Sequence, residues 1–187
     1  MDDAAALRAT RAWVEQAVIG LNLCPFAKAV QTKNLIRYVC SEARDTAALL
    51  DALRSELQRL VDTPIERLET TLLVHPQVLG DFLDYNDFLD EADALLCEMH
   101  LDGVLQIASF HPQYQFAGSA ADDIDNATNR SPHPTLHLLR EASIERAVAA
   151  FPEPEAIYET NQRTLRVLGP QGWAQLQARC LRAARGG

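Results

Sequence analysis

Three short apolar runs, each divided from the next by one long segment of helical period, constrain this 187-residue chain more than any other feature. The runs are Leu35–Cys40, Thr70–His75 and Gly103–Phe110, and their β-branched and aromatic content is that of strands. Between the first two, Leu49, Leu50, Leu53, Leu57 and Leu60 recur at helical spacing. Between the second and third, a segment from about Asp81 to His100 sets Phe82, Tyr85, Leu89, Ala92, Leu96 and Met99 on one stripe. A strand that returns to its sheet through one helix runs parallel to its predecessor, by a right-handed crossover. The expected core is therefore β-α-β-α-β.

Helical segments flank this core. Asp3 to Gly20 carries Leu7, Trp13, Val14, Ala17, Val18 and Leu21 on or near one face, with Gly20 and Asn22 as the stop. At the other end helices are expected from Pro134 through Ala150, from beyond Pro152 and Pro154 to Leu168, and from Gly169-Pro170 to Ala184. The expected fold is a single α/β domain over residues 1–187, with a small, mostly parallel sheet of three or four strands and helices on both faces. A loop over residues 111–133 and a helical part over residues 134–184 complete it.

Charge limits the partners. The formal net charge is -9, and between Leu68 and Asn129 there are twelve carboxylates and no Lys or Arg. Nucleic-acid phosphates and anionic lipid heads are repelled by such a field, so neither nucleic acid nor membrane is an expected partner. With an acidic start and no long apolar span, a cytoplasmic location is expected. Cys24, Cys40, Cys97 and Cys180 form no C-x-x-C pair, so neither a zinc ribbon nor a disulfide framework is indicated. The acids of the 81–100 helix lie largely opposite its apolar stripe and read as a solvated face.

Candidate chemistry gathers where strands end. The second and third strands both close on His-Pro, as His75-Pro76 and His111-Pro112. In parallel strands both histidines lie at the carboxyl edge, where open α/β sheets place their ligands. Loop 111–133 adds Tyr114, Asn126, Asn129 and Arg130 as substrate-binding candidates, and a helix beginning at Pro134 would complete an anion site. His137 and Glu141 are four residues apart, a spacing that on one helical face suits either joint binding of a metal or a carboxylate orienting the imidazole as a general base. Cys24, just before a helical turn opened by Pro25, is a further candidate contact as a nucleophile or redox group.

Three functional readings follow. In the first, an enzyme acts on a small polar metabolite, with His111 as acid/base, and His75 or His137 as a second proton-transfer or positioning group. Arg130, Asn126 and Asn129 then hold the substrate and Tyr114 closes over it. The second is a metal-binding protein with His75, His111 and His137 as imidazole ligands of a divalent transition metal. The third is an adaptor that docks a protein on its acidic helix or on an exposed, disordered loop.

Five segments together carry a family resemblance. They are Asn22–Ala27, Thr71–Pro76, Asp81–Leu89, Ala108–Gly118 and Asn129 through Glu141, and they resemble DUF1415, a bacterial family of unknown function. The likeness runs from about Trp13 to Gly169 and implies a single-domain family without an established activity. The family pattern has Tyr where this chain has His133, which makes His137 the better metal candidate.

Overall fold

In the computed structural model, which describes residues 2–150 and 155–184, the three expected strands are Ile36–Cys40 (β1), Thr70–Val74 (β2) and Leu105–Phe110 (β3). A fourth, Thr135–Arg140 (β4), occupies the stretch expected to be helical, and the sheet order is β1-β2-β4-β3. β1 and β2 are parallel, whereas β4 is antiparallel to both of its neighbours. The mostly parallel sheet is thus corrected to a mixed one. β2 and β3, each antiparallel to β4, still point the same way, with β4 between them.

The physical cause lies in period 2. Leu136 and Leu138 are fully buried on one face, pairing with Leu73 and Thr71 of β2 and with Ser109 and Ile107 of β3. Each buried leucine contributes about 2 kcal/mol. A helix through Pro134 would leave the ladder groups of both neighbouring strands unpaired. Pro134, in place of opening a helix, accepts a hydrogen bond at its carbonyl from the His75 amide at 3.0 Å.

One face of the sheet is covered by Thr46–Asp62 (α3, after the short Ala27–Thr32, α2) and by Phe82–Glu98 (α4). Leu49, Leu53, Leu57 and Leu60 of α3 and Tyr85, Phe88, Ala92 and Leu96 of α4 form one cluster with Leu73, Leu105, Leu136 and Leu138. Asp45 and Asp81 cap the two helices through their carboxylates, as the turns before each apolar stripe require.

The second face meets the ends of the chain. Asp3–Trp13 (α1) runs on as a π-helix over Val14–Ile19, and Glu155–Ala183 (α6) is broken at Gly169, where φ is 68°. That left-handed conformation suits glycine, and Pro170 then restarts the helix, so the expected division at Gly169-Pro170 is present. Trp13, Ala17, Leu165, Trp173 and Leu176 pack there around Leu72 of β2. Between β4 and α6 lies Glu141–Ala149 (α5). Pro152 and Pro154, expected to precede the last helices, lie outside the described residues.

Candidate functional site

The two His-Pro exits arrive at the same edge and face. Val74 pairs with Thr135 and Phe110 with Thr135, so the backbone beyond each strand flanks Pro134 from opposite sides. His75 and His111 are both 0% exposed and turn toward α4, where the Tyr85 ring lies 5.7 Å from His75 and 5.1 Å from His111 between centroids. The Tyr85 hydroxyl donates to the Thr135 carbonyl at 2.9 Å and accepts from the Phe110 amide at 3.1 Å. It therefore ties α4 to the ends of β3 and β4, and burial raises its phenol well above the ordinary range.

Hydrogen-bond geometry assigns both tautomers. His75 Nδ1 is 3.2 Å from the Val78 carbonyl, which can only accept, so Nδ1 carries the proton. In the neutral ring Nε2 is then a bare acceptor, and it is buried without a partner. His111 is the reverse: its Nδ1 accepts from the Gln113 amide at 3.0 Å, so Nε2 carries the proton and donates to the Leu79 carbonyl at 3.2 Å. Burial pushes the His75 imidazole down to about 4, opposed by its bond to Val78 and assisted by His111. Burial also lowers His111, against its bond to Leu79 and the field of Asp81. Both rings are neutral at pH 7.

The two histidines hold adjacent carbonyls of the segment between β2 and α4. Leu79 there has a φ of 58°, a left-handed conformation that a branched side chain adopts at a cost of about 1–3 kcal/mol. Around His111 the rings continue outward: Phe82 at 5.5 Å, then Tyr114 at 5.3 Å from Phe82, and Phe116 at 5.0 Å from Tyr114.

Loop 111–133 is folded. It contains a 3-10 helix, Ile124–Asn129, and buried Asn126 organises it by accepting from the Phe116 amide and Ser119 hydroxyl and donating to the Ala120 carbonyl. Asn129 donates to the Ser109 carbonyl, and its own carbonyl accepts from the His111 amide. Arg130 donates to the Tyr114 carbonyl at 3.1 Å and to the Ala121 carbonyl at 2.6 Å. These residues, expected to hold substrate, hold the loop. The anion site expected at the start of a Pro134 helix does not form, because β4 begins there.

The remaining candidates lie elsewhere. His137 pairs with Leu72 and Ala108, so it is on the second face of the sheet, away from His75 and His111. Its Nε2 is 2.8 Å from the Thr70 hydroxyl, and that hydroxyl donates to the Leu138 carbonyl at 2.6 Å, which makes His137 Nε2 the donor. Burial lowers this imidazole to about 4. Glu141 begins α5, one residue beyond β4, so the expected His137–Glu141 helical face is absent. Cys24 follows Leu23 of the second-face cluster, and its neighbouring helix α2 starts at Ala27 and has only six residues. His133 is buried, with its carbonyl accepting from Ser131 and Thr135.

The sheet thus separates the three imidazoles expected to share a metal. Among the described residues no group of three or more His, Cys, Asp or Glu side chains is placed to hold a metal ion. Nor is any described helix long and apolar enough to cross a membrane. Sequence reading missed Tyr85 and Phe82 as parts of the site because both sit on the apolar stripe of α4. A buried Tyr needs a hydroxyl partner, and that was the available signal.

No curated protein and no solved structure matches the chain. A family model does, over residues 5–175, and its description is a protein of unknown function. The chain belongs to the DUF1415 family.

Proposed function

We propose that this domain is an enzyme that binds a small polar metabolite at the carboxyl edge of β2 and β3, with His75 as the side chain that meets it. One observation carries the reading: His75 Nε2 is a fully buried acceptor with no partner. A polar atom left in that state costs about 1–3 kcal/mol, which a ligand donor would recover. Native structures leave few buried polar atoms unpaired, and a catalytic or binding role is one physical reason for such an atom. His111, with both nitrogens bonded to backbone, is a positioning residue that keeps Leu79 and the turn to Gln113 in place. His75 is the candidate proton acceptor; with its imidazole near 4 it is unprotonated throughout the neutral range.

A docking loop is the less favoured alternative, because the 111–133 segment is internally bonded and packs Tyr114 against Phe82 over the His111 ring.

The test is a small-metabolite screen read by the nitrogen resonances of the imidazoles. Binding is expected to move His75 Nε2 and to leave His137 unchanged, and His75→Phe is expected to stay folded and lose binding at least tenfold. A ligand that binds while the His75 resonances stay fixed would sink the proposal, whether or not the variant folds.

A further inference from the structure

A second concentration of charge lies at the amino edge of β1 and β2, the end of the sheet opposite His75. β1 closes the strand order on that side, and a cleft of about 390 Å³ opens beside its first half, with Asn34, Arg37, Tyr38, Arg59, Thr63 and Arg67 in its wall. No Asp or Glu is in that wall. In a chain of net charge -9, three guanidinium groups gathered at one place run against the average field. One carboxylate stands behind them. Buried Glu56 of α3 accepts from Arg37 Nε at 2.6 Å and from Arg37 Nη2 at 3.0 Å, with Arg59 Nε 3.6 Å away. A single carboxylate thus serves two arginines and fixes their guanidinium groups, while Arg37 keeps three of its five N–H donors. Arg67 has no ion pair or hydrogen bond among the described residues. Three cations against one carboxylate leave an excess of two positive charges.

Neighbouring charges leave that excess in place. Glu66 and Glu69 act on Arg140, and Glu69 is also 3.7 Å from Arg146. At Tyr38 Arg11 and Glu15 oppose each other, and exposed Lys33 and Asp62, next in sequence to Asn34 and Thr63, are of opposite sign. The carbonyls where α3 ends would repel an anion, but Arg140 Nη2 donates to those of Leu60, Thr63 and Leu68. The backbone adds donors. Along a parallel strand, alternate residues turn their amide and carbonyl toward the partner. The Leu35 carbonyl accepts from the Glu69 amide and the Ser41 amide donates to the Val74 carbonyl, so odd-numbered residues of β1 face β2 and the Ile36 and Tyr38 amides point outward. Guanidinium forks and sheet-edge amides both suit oxyanions. We infer that this cleft binds a compact oxyanion of two or more negative charges, a phosphate or a polycarboxylate, between Arg37, Arg59 and Arg67. The site is separate from His75 and does not rest on its proposed role.

Pyrophosphate and citrate test it on the full chain at pH 7 and fixed ionic strength, with acetate as the singly charged control. At least one of the two polyanions is expected to raise Tm and to shift the Arg67 Nε resonance, while acetate leaves both unchanged; the tighter polyanion names the phosphate or the carboxylate class. Arg67→Gln, which breaks no contact within the described chain, is expected to weaken binding about tenfold, the worth of one charge-assisted hydrogen bond. Combining it with Arg59→Gln is expected to abolish binding. Arg163→Gln, at an exposed arginine of α6, is expected to change nothing and controls for general attraction to surface cations. No response to either polyanion, a response no larger than that to acetate, or an equal loss from Arg163→Gln would overturn the inference. So would a polyanion that shifts His75 Nε2 and leaves Arg67 Nε fixed, since it would assign the anion to the other end of the sheet.

Discussion

The same dipeptide ends β2 and β3, yet the two histidines it supplies do opposite things. His111 spends both ring nitrogens on backbone, donating to Leu79 and accepting from Gln113, whereas His75 spends one on Val78 and leaves the other bare. Equal burial, equal register and a shared Tyr85 do not make equal chemistry. Which nitrogen is free depends on where the next amide or carbonyl falls, and only the free one can meet a ligand.

The contrast is broken most directly by truncation. His111→Ala removes a buried ring and both of its backbone bonds, and a loss of about 3–4 kcal/mol is expected in urea unfolding. His75→Phe should change stability by less than about 1 kcal/mol, since it exchanges one bond for the removal of an unpaired acceptor. Similar losses for the two would mean that the histidines share one structural role.

Next in size is the pH dependence. The folded His75 imidazole lies near 4 and its ordinary value is 6.5, so the unfolded chain binds the extra proton between these limits. Stability is then level above about pH 6.5 and declines as pH falls toward 4, by about 3 kcal/mol for His75. Denaturant midpoints across this window check it. A profile that stays equally steep in folded His75→Phe would assign the slope to the other buried imidazoles.

Smaller is the effect of Tyr85→Phe, which leaves the ring between the histidines but unpairs the Thr135 carbonyl and Phe110 amide. A loss of about 2 kcal/mol is expected, with His75 ligand binding retained. If binding is lost while the fold survives, the Tyr85 hydroxyl belongs to the site as well as to its frame.

Much of the frame is legible in the sequence. The three apolar runs, the amphipathic helices between them, the Gly169-Pro170 break and the common edge of His75 and His111 all follow from local spacing and turn chemistry. β4 was not legible. Thr135 to Arg140 alternates, but Pro134 and the i, i+4 pair of His137 and Glu141 also suit a helix, and only the free edges of β2 and β3 decide between them. That single change carried His137 to the other side of the sheet and dissolved the expected metal triad. Loop 111–133 is rich in groups that suit ligand binding, because donors and acceptors look alike in sequence whether they serve a substrate or one another.

By itself, then, the sequence determined the family, the strand ends, the acidic stretch free of cations and the two His-Pro corners, since these depend on residue identity and near spacing. The tertiary structure alone decided the strand that fills the sheet, the face on which each histidine lies and the tautomer each one holds. Those outcomes depend on ladder pairing and on the folded turns that bring single groups to each ring, the Val78 carbonyl from three residues beyond His75 and the Leu79 carbonyl from a separate segment to His111, and the residue type alone does not say which nitrogen of an imidazole will find a partner.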